Sequence, residues 1–251
     1  MKSITKLSVL AGITGTLGLA CGSSGPAGPP SGPTLRLIAA YPLSIPEPSG
    51  LAINDSGTVL WTVTNNPDKV YELDLTGRVV RTLAYSGHDL EGIAYDSSDR
   101  TLWVAEENRR EIVHLDSSGA VLSRHRLGLV GEDNSGLEGI CFDDQRRMFV
   151  LNEKFPGMFI PLNPDYSIAR QDTLTFARDY SDIFYNRLRN CFWIISDLSQ
   201  RLYLFDPASG VQGEYALPFP KGEGVAFDAA RNLVYVVSDS EHKLYVYAGP
   251  P

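Results

Sequence analysis

One unit recurs five times along this 251-residue chain, and that repeat limits the fold more than any other feature. The copies begin SGLAIN at Ser49, EGIAYD at Glu91, EGICFD at Glu138, SDIFYN at Ser181 and EGVAFD at Glu223, at spacings of 42, 47, 43 and 42 residues. Each is followed by a polar turn and a second apolar stretch: LWTVTN, LWVAEE, MFVLNE, FWIISD and VYVVSD. One place in that stretch is always aromatic, as Trp61, Trp103, Phe149, Trp193 and Tyr235. Four residues later stand Asn65, Glu107, Glu153, Asp197 and Asp239. A third and a fourth stretch follow, such as KVYELD and then RVVRTLAY.

Short β-branched and aromatic runs broken by Gly, Asp, Asn and Ser are strands. Four strands in about 43 residues make one propeller blade. The fifth unit stops after its third strand, at Tyr247, while the orphan stretch LRLIAAY at 35–41 precedes the first unit. That stretch can serve as the outer strand of the last blade, closing the ring and removing a free edge. The expected fold is therefore all-β: a five-bladed β-propeller over residues 35–251, with four antiparallel strands per blade.

The ring of EG-(I/V)-A repeats, with W-x-x-x-(E/D) second strands, resembles the SdiA-regulated domain family. Asp89-Leu90-Glu91, Gly136-Leu137-Glu138-Gly139 and Glu223-Gly224-Val225-Ala226 carry the resemblance most specifically. It implies a bacterial five-bladed propeller, distantly related to NHL repeats, with a calcium site. Blades one and four depart from the pattern, placing Ser49 and Ser181 where the others have Glu, although blade four offers Asp182 one place later.

The repeat register locates the acids on its own. Glu91, Glu138 and Glu223 stand at the entry of the innermost strands, and the antiparallel second strands return Glu107, Glu153, Asp197 and Asp239 to the same face. Glutamates converging on one channel mouth repel unless something neutralises them. Ca²⁺, which accepts six to eight oxygens in flexible geometry, is the expected cofactor. Glu91, Glu138 and Glu223 are the leading ligands, with Glu107, Glu153 and Asp239 as second choices. The competing reading makes these acids braces that accept backbone N–H groups of adjacent blades, and it is favoured for the second-strand set. The repeated aromatics are expected as core between blades.

The N-terminus reads as an export signal over residues 1–20: Lys2 and Lys6, then fourteen apolar or small residues from Leu7 to Ala20. Leu17-Gly18-Leu19-Ala20-Cys21 resembles a bacterial lipoprotein signal, with Cys21 as the lipidated residue, though Gly18 replaces the usual bulky aliphatic. Residues 21–34 then form the lipidated cysteine and a flexible tether rich in Gly, Ser and Pro. The expected location is the bacterial cell envelope, anchored through lipid, and the outer membrane in a diderm source. No run of eighteen apolar residues exists to span a membrane.

The net charge of −8 excludes a domain-wide basic surface, so nucleic acid is not an expected partner. His88, His114, His125 and His242 form no H-x-x-x-H or H-E-x-x-H, and no G-x-S-x-G occurs. His88 is the one histidine near the expected mouth. The acidic loop from Gly131 to Gly136 lacks EF-hand alternation. Cys141 and Cys191 are expected as buried thiols. Arg100, Arg146, Arg147, Arg187, Arg189 and Arg231 fall at the turns of the opposite face, either as turn chemistry or as a basic surface. The resulting expectation is a monomeric, non-enzymatic, calcium-binding propeller that engages a protein or small ligand. The alternative is a metal-dependent hydrolase of the lactonase or phytase kind, and no catalytic residue is assigned.

Overall fold

The computed structural model describes residues 31–130 and 135–251. The export signal, Cys21, most of the tether and residues 131–134 lie outside the described residues. Among the described residues, twenty strands form five four-stranded antiparallel sheets, one per repeat. The innermost strands are Pro48–Ile53, Leu90–Asp96, Leu137–Phe142, Asp182–Asn186 and Gly222–Asp228, in blades one to five. The N-terminal strand Arg36–Pro42 pairs antiparallel with Lys243–Ala248, Arg36 opposite Ala248 and Pro42 opposite Lys243, as the fourth strand of blade five. The first and last of the described strands thus share one sheet, and the ring is closed by backbone hydrogen bonds.

Each inner strand ends in, or is directly followed by, an Asn or Asp for a local reason. The side chains of Asn54, Asp96, Asp143, Asn186 and Asp228 accept backbone N–H groups of the turn that follows, from Thr58, Ser98, Gln145, Leu188 and Ala230 at 2.7–3.1 Å. These Asx interactions set the reversal into the second strand. The repeated aromatic fills the seam to the next blade. Trp61 packs between blades one and two, Trp103 between two and three, Phe149 between three and four, Trp193 between four and five, and Tyr235 between five and one. The indole N–H groups of Trp61, Trp103 and Trp193 have no partner. Burying an indole removes about 200 Å² from water and contributes about 5 kcal/mol, against about 1–3 kcal/mol for an unmet donor. Packing wins, and the aromatic is retained.

The Gly of the EG repeat is required by the closeness of the inner strands. A Cβ on Gly92 would lie 2.0 Å from the Glu138 carbonyl oxygen of the next blade. Cβ atoms on Gly50, Gly139 and Gly224 would likewise meet the backbone of the next blade at 2.6 Å. Blade four alone carries a side chain there, Asp182. It is fully buried, and its Oδ2 accepts the N–H of Val225 in blade five at 2.9 Å and of Leu51 in blade one at 3.1 Å. Two places on, where the other blades have Ala or Cys, blade four has Phe184, which packs against the clusters of both seams of blade five. One blade therefore supplies the side chains that fill the axis.

Candidate functional site

The glutamates reach the channel mouth through breaks in the β-ladder. Leu90 pairs with Glu106 and Gly92 with Ala105, which leaves Glu91 unpaired between them. Glu223 sits in the same kind of break between Gly222 and Gly224, and Glu138 in the one between Leu137 and Ile140. A bulge re-aims a side chain that a regular pleat would send elsewhere. Glu91, Glu138, Glu153, Glu223 and Asp239 line one cavity of about 190 Å³. Glu107 adjoins it: its carboxylate, with those of Glu138 and Glu153, forms a group whose oxygens lie within 4.8 Å of one another. Asp89, Glu91 and Glu107 form a second such group.

The sequence alone did not single out a circle of residues two places before the first residue of each repeat. Glu47, Asp179 and Lys221 line the same cavity, and Asp89 belongs to the second acid group. The repeat register would have found these positions, since they are equivalent to one another and to Gly136. Lys221 reverses the sign of this circle. Its Nζ lies 3.1 Å from Asp197 Oδ2 and 3.1 Å from Glu223 Oε1.

Most of these acids have donors. Ser49 Oγ donates to Glu91 Oε2 at 2.6 Å, and Asn65 Nδ2 to its Oε1 at 2.9 Å. In blade one, the serine that stands where other blades have a repeat glutamate thus provides a hydroxyl to the glutamate of the blade that follows. In blade four Ser181 Oγ instead accepts the Asp197 N–H at 3.4 Å, and Glu223 is paired with Lys221. Two second-strand acids brace the next blade: Glu107 Oε1 accepts the Gly136 N–H at 2.9 Å, and Asp197 Oδ1 the Lys221 N–H at 2.9 Å. Glu153 is paired with Lys154.

Glu138 is different. The equivalent residue one blade earlier is Glu91, not serine. Glu138 is 8% exposed, and no described residue donates a hydrogen bond to its carboxylate. Burial first, then the charges of Glu91, Glu153 and Glu107, push its carboxyl well above the usual carboxylate range. Burial also raises Glu91 to about 8, against its two hydrogen bonds, and Glu223 to about 7, against Lys221. Glu107 is raised by burial and by the neighbouring Asp89 carboxylate, against the Gly136 N–H that it accepts. The blade two and three side of the mouth therefore holds carboxyls that must share protons or accept a cation. Its donors are all oxygen, which suits a hard divalent ion.

Other expected features fall elsewhere. Asp182 does not take the place of a mouth glutamate; it is the axial brace described above. His88 is exposed and does not line the cavity. Cys141 and Cys191 are buried free thiols. Four of the six arginines on the opposite face are paired with acids: Arg146 with Asp96 at 2.5 Å, Arg147 with Asp143 at 2.6 Å, Arg231 with Asp228 at 2.5 Å, and Arg187 with Asp55 and Asp144 at 3.4 Å. That face is interleaved in charge, not basic, because the Asx residues that shape its turns also neutralise it. No helix among the described residues is long and apolar enough to cross a membrane.

Solved structures of similar fold include a gluconolactonase from Xanthomonas campestris, at a TM-score of 0.58 and 14% identity, over 90% of this chain and 98% of that one. The catalytically inactive H270A virginiamycin B lyase from Staphylococcus aureus with quinupristin matches at 0.51 and 15% identity, over 80% of this chain and 66% of that one. This chain therefore spans slightly less than two thirds of the lyase's length. At such identities the likeness concerns the fold alone. The model of the SdiA-regulated family matches residues 44–247. Its match runs from the approach to the first repeat glutamate position through the last blade, and the chain belongs to the SdiA-regulated family.

Proposed function

We propose that the mouth binds a divalent cation, Ca²⁺ by its donor chemistry, and that the loaded propeller is a non-enzymatic binding module for a protein or small ligand. Glu138 carries this reading: a buried carboxylate with no donor among the described residues stands beside Glu107 and Glu153, and a cation would offset their mutual repulsion. Glu91, Glu223 and Asp239 line the adjoining space, where they can ligate or orient bound water. Bound Ca²⁺ would join blades two and three and leave coordination positions facing the cavity. We place the module at the bacterial cell envelope, held to the membrane through a lipidated Cys21 and the tether behind it. Cys21→Ser should move the mature protein from the detergent phase to the aqueous phase, and unchanged partitioning would count against the anchor.

A second reading, a metal-dependent hydrolase, is favoured by the roughly 190 Å³ of space beside the acids, enough for a small ester or lactone. The fold does not decide between the two. The test is metal analysis of the purified domain, with thermal melting in Ca²⁺ and in EGTA. Ca²⁺ at about 100 times its dissociation constant should add ~2.7 kcal/mol to stability, and Glu138→Gln should abolish that response. No bound metal and identical melts would sink the calcium reading. Lactone hydrolysis that requires metal and Glu138 would establish the second.

A further inference from the structure

The mouth is electrically divided. On the blade two and three side, Asp89, Glu91, Glu107, Glu138 and Glu153 stand close together, with one ammonium, Lys154, which pairs with Glu153 and also feels the charges of Glu138 and Asp179. On the blade five side a single ammonium sits between two carboxylates. Lys221 Nζ is 3.1 Å from both Asp197 Oδ2 and Glu223 Oε1, and these acids come from different blades. That is the place a bridging cation would take.

Three observations hold the lysine there. Its backbone N–H donates to Asp197 Oδ1 at 2.9 Å. Its carbonyl accepts the Asp239 N–H at 2.9 Å. Its φ of 53° lies in the left-handed region, a conformation costing a non-glycine residue on the order of 1 kcal/mol that surrounding contacts must offset. Glu47 and Asp89 occupy the equivalent position with the same left-handed backbone, while Asp179 does not, so among blades one, two and five the residue type alone changes the charge.

We propose that Lys221 is the selectivity residue of the mouth: its ammonium takes the cation position between Asp197 and Glu223 and confines a divalent ion to the blade two and three side. This extends the calcium reading, on which its biological meaning rests. A tethered cation occupies its position at high effective concentration and so competes with a free ion. The mouth then presents one site for an external ion instead of two.

The experiment counts Ca²⁺ per chain, by calorimetry and by native mass spectrometry, for the wild type, Lys221→Met, Lys221→Gln and Lys221→Arg. Met keeps the length of the stem, Gln keeps a hydrogen-bond donor, and Arg keeps the charge. Met and Gln should each bind one more ion than the wild type, and Arg the same number. Far-UV circular dichroism and melting show that the variants are folded, and Gln serves if Met does not fold. The wild-type count tests the calcium reading by itself. The difference between variant and wild type tests Lys221, and an unchanged count in a folded Met or Gln variant overturns the proposal, whatever the wild type binds.

Discussion

The Ser49 hydroxyl donates to the Glu91 carboxylate at 2.6 Å across the seam between blades one and two. A residue that departs from the repeat thereby completes the hydrogen bonding of the repeat glutamate that follows it. Glu138 follows a glutamate, and of the three it alone has no hydrogen-bond donor among the described residues.

Ser49→Ala should destabilise the protein by about 1–2 kcal/mol at pH above 8, where Glu91 is ionised and loses a donor. Near pH 5, where Glu91 carries a proton, the cost should be smaller. Denaturant unfolding of the two proteins at both pH values checks this, and an equal cost at both would show that Ser49 acts through packing.

In EGTA, stability should fall as pH rises. Glu91, Glu223, Glu107 and Glu138 all have folded-state values above those of the unfolded chain, so the folded state binds more protons. Their favourable contribution is complete below the ordinary value of 4.5 and is lost as pH climbs toward about 8. Saturating Ca²⁺ should flatten that decline. A melting temperature that instead rises from pH 5 to pH 8 in EGTA would show that these carboxyls ionise without penalty.

Asp182→Ala should cost about 3 kcal/mol, since it removes the acceptor of the Leu51 and Val225 N–H groups and leaves space on the axis. Asp182→Asn keeps the shape and one acceptor oxygen and should cost less than half as much. Equal losses would show that charge, not hydrogen-bond acceptance, is what blade four supplies.

Gly92→Ala should cost about 3 kcal/mol or prevent folding, because the new Cβ would meet the Glu138 carbonyl at 2.0 Å. Gly128→Ala is the control: nothing lies within 4 Å of its Cβ position, and it should be neutral or slightly stabilising. Thermal melts of the two variants separate a close-approach glycine from a permissive one.

The five blades, the closing strand and the seam aromatics were legible in the sequence because each recurs in the same environment. Trp61, Trp103, Phe149, Trp193 and Tyr235 fill five equivalent seams, and an environment met five times leaves a period in the chain. The collection of acids at one mouth was legible for the same reason, since strand direction alone returns Glu107 and Glu153 to the side of Glu91 and Glu138. The residues that break the period were not. Asp182, Phe184, Ser49 and Lys221 look like erosion of the repeat when read along the chain. Their roles depend on what stands across the axis or in the adjoining blade, and only the closed ring sets those neighbours. An axis flanked by five backbones has room for one carboxylate and one phenyl ring, not for five of each. Repetition therefore determined the ring, and closure decided which blade fills its centre and which glutamate is left without a donor.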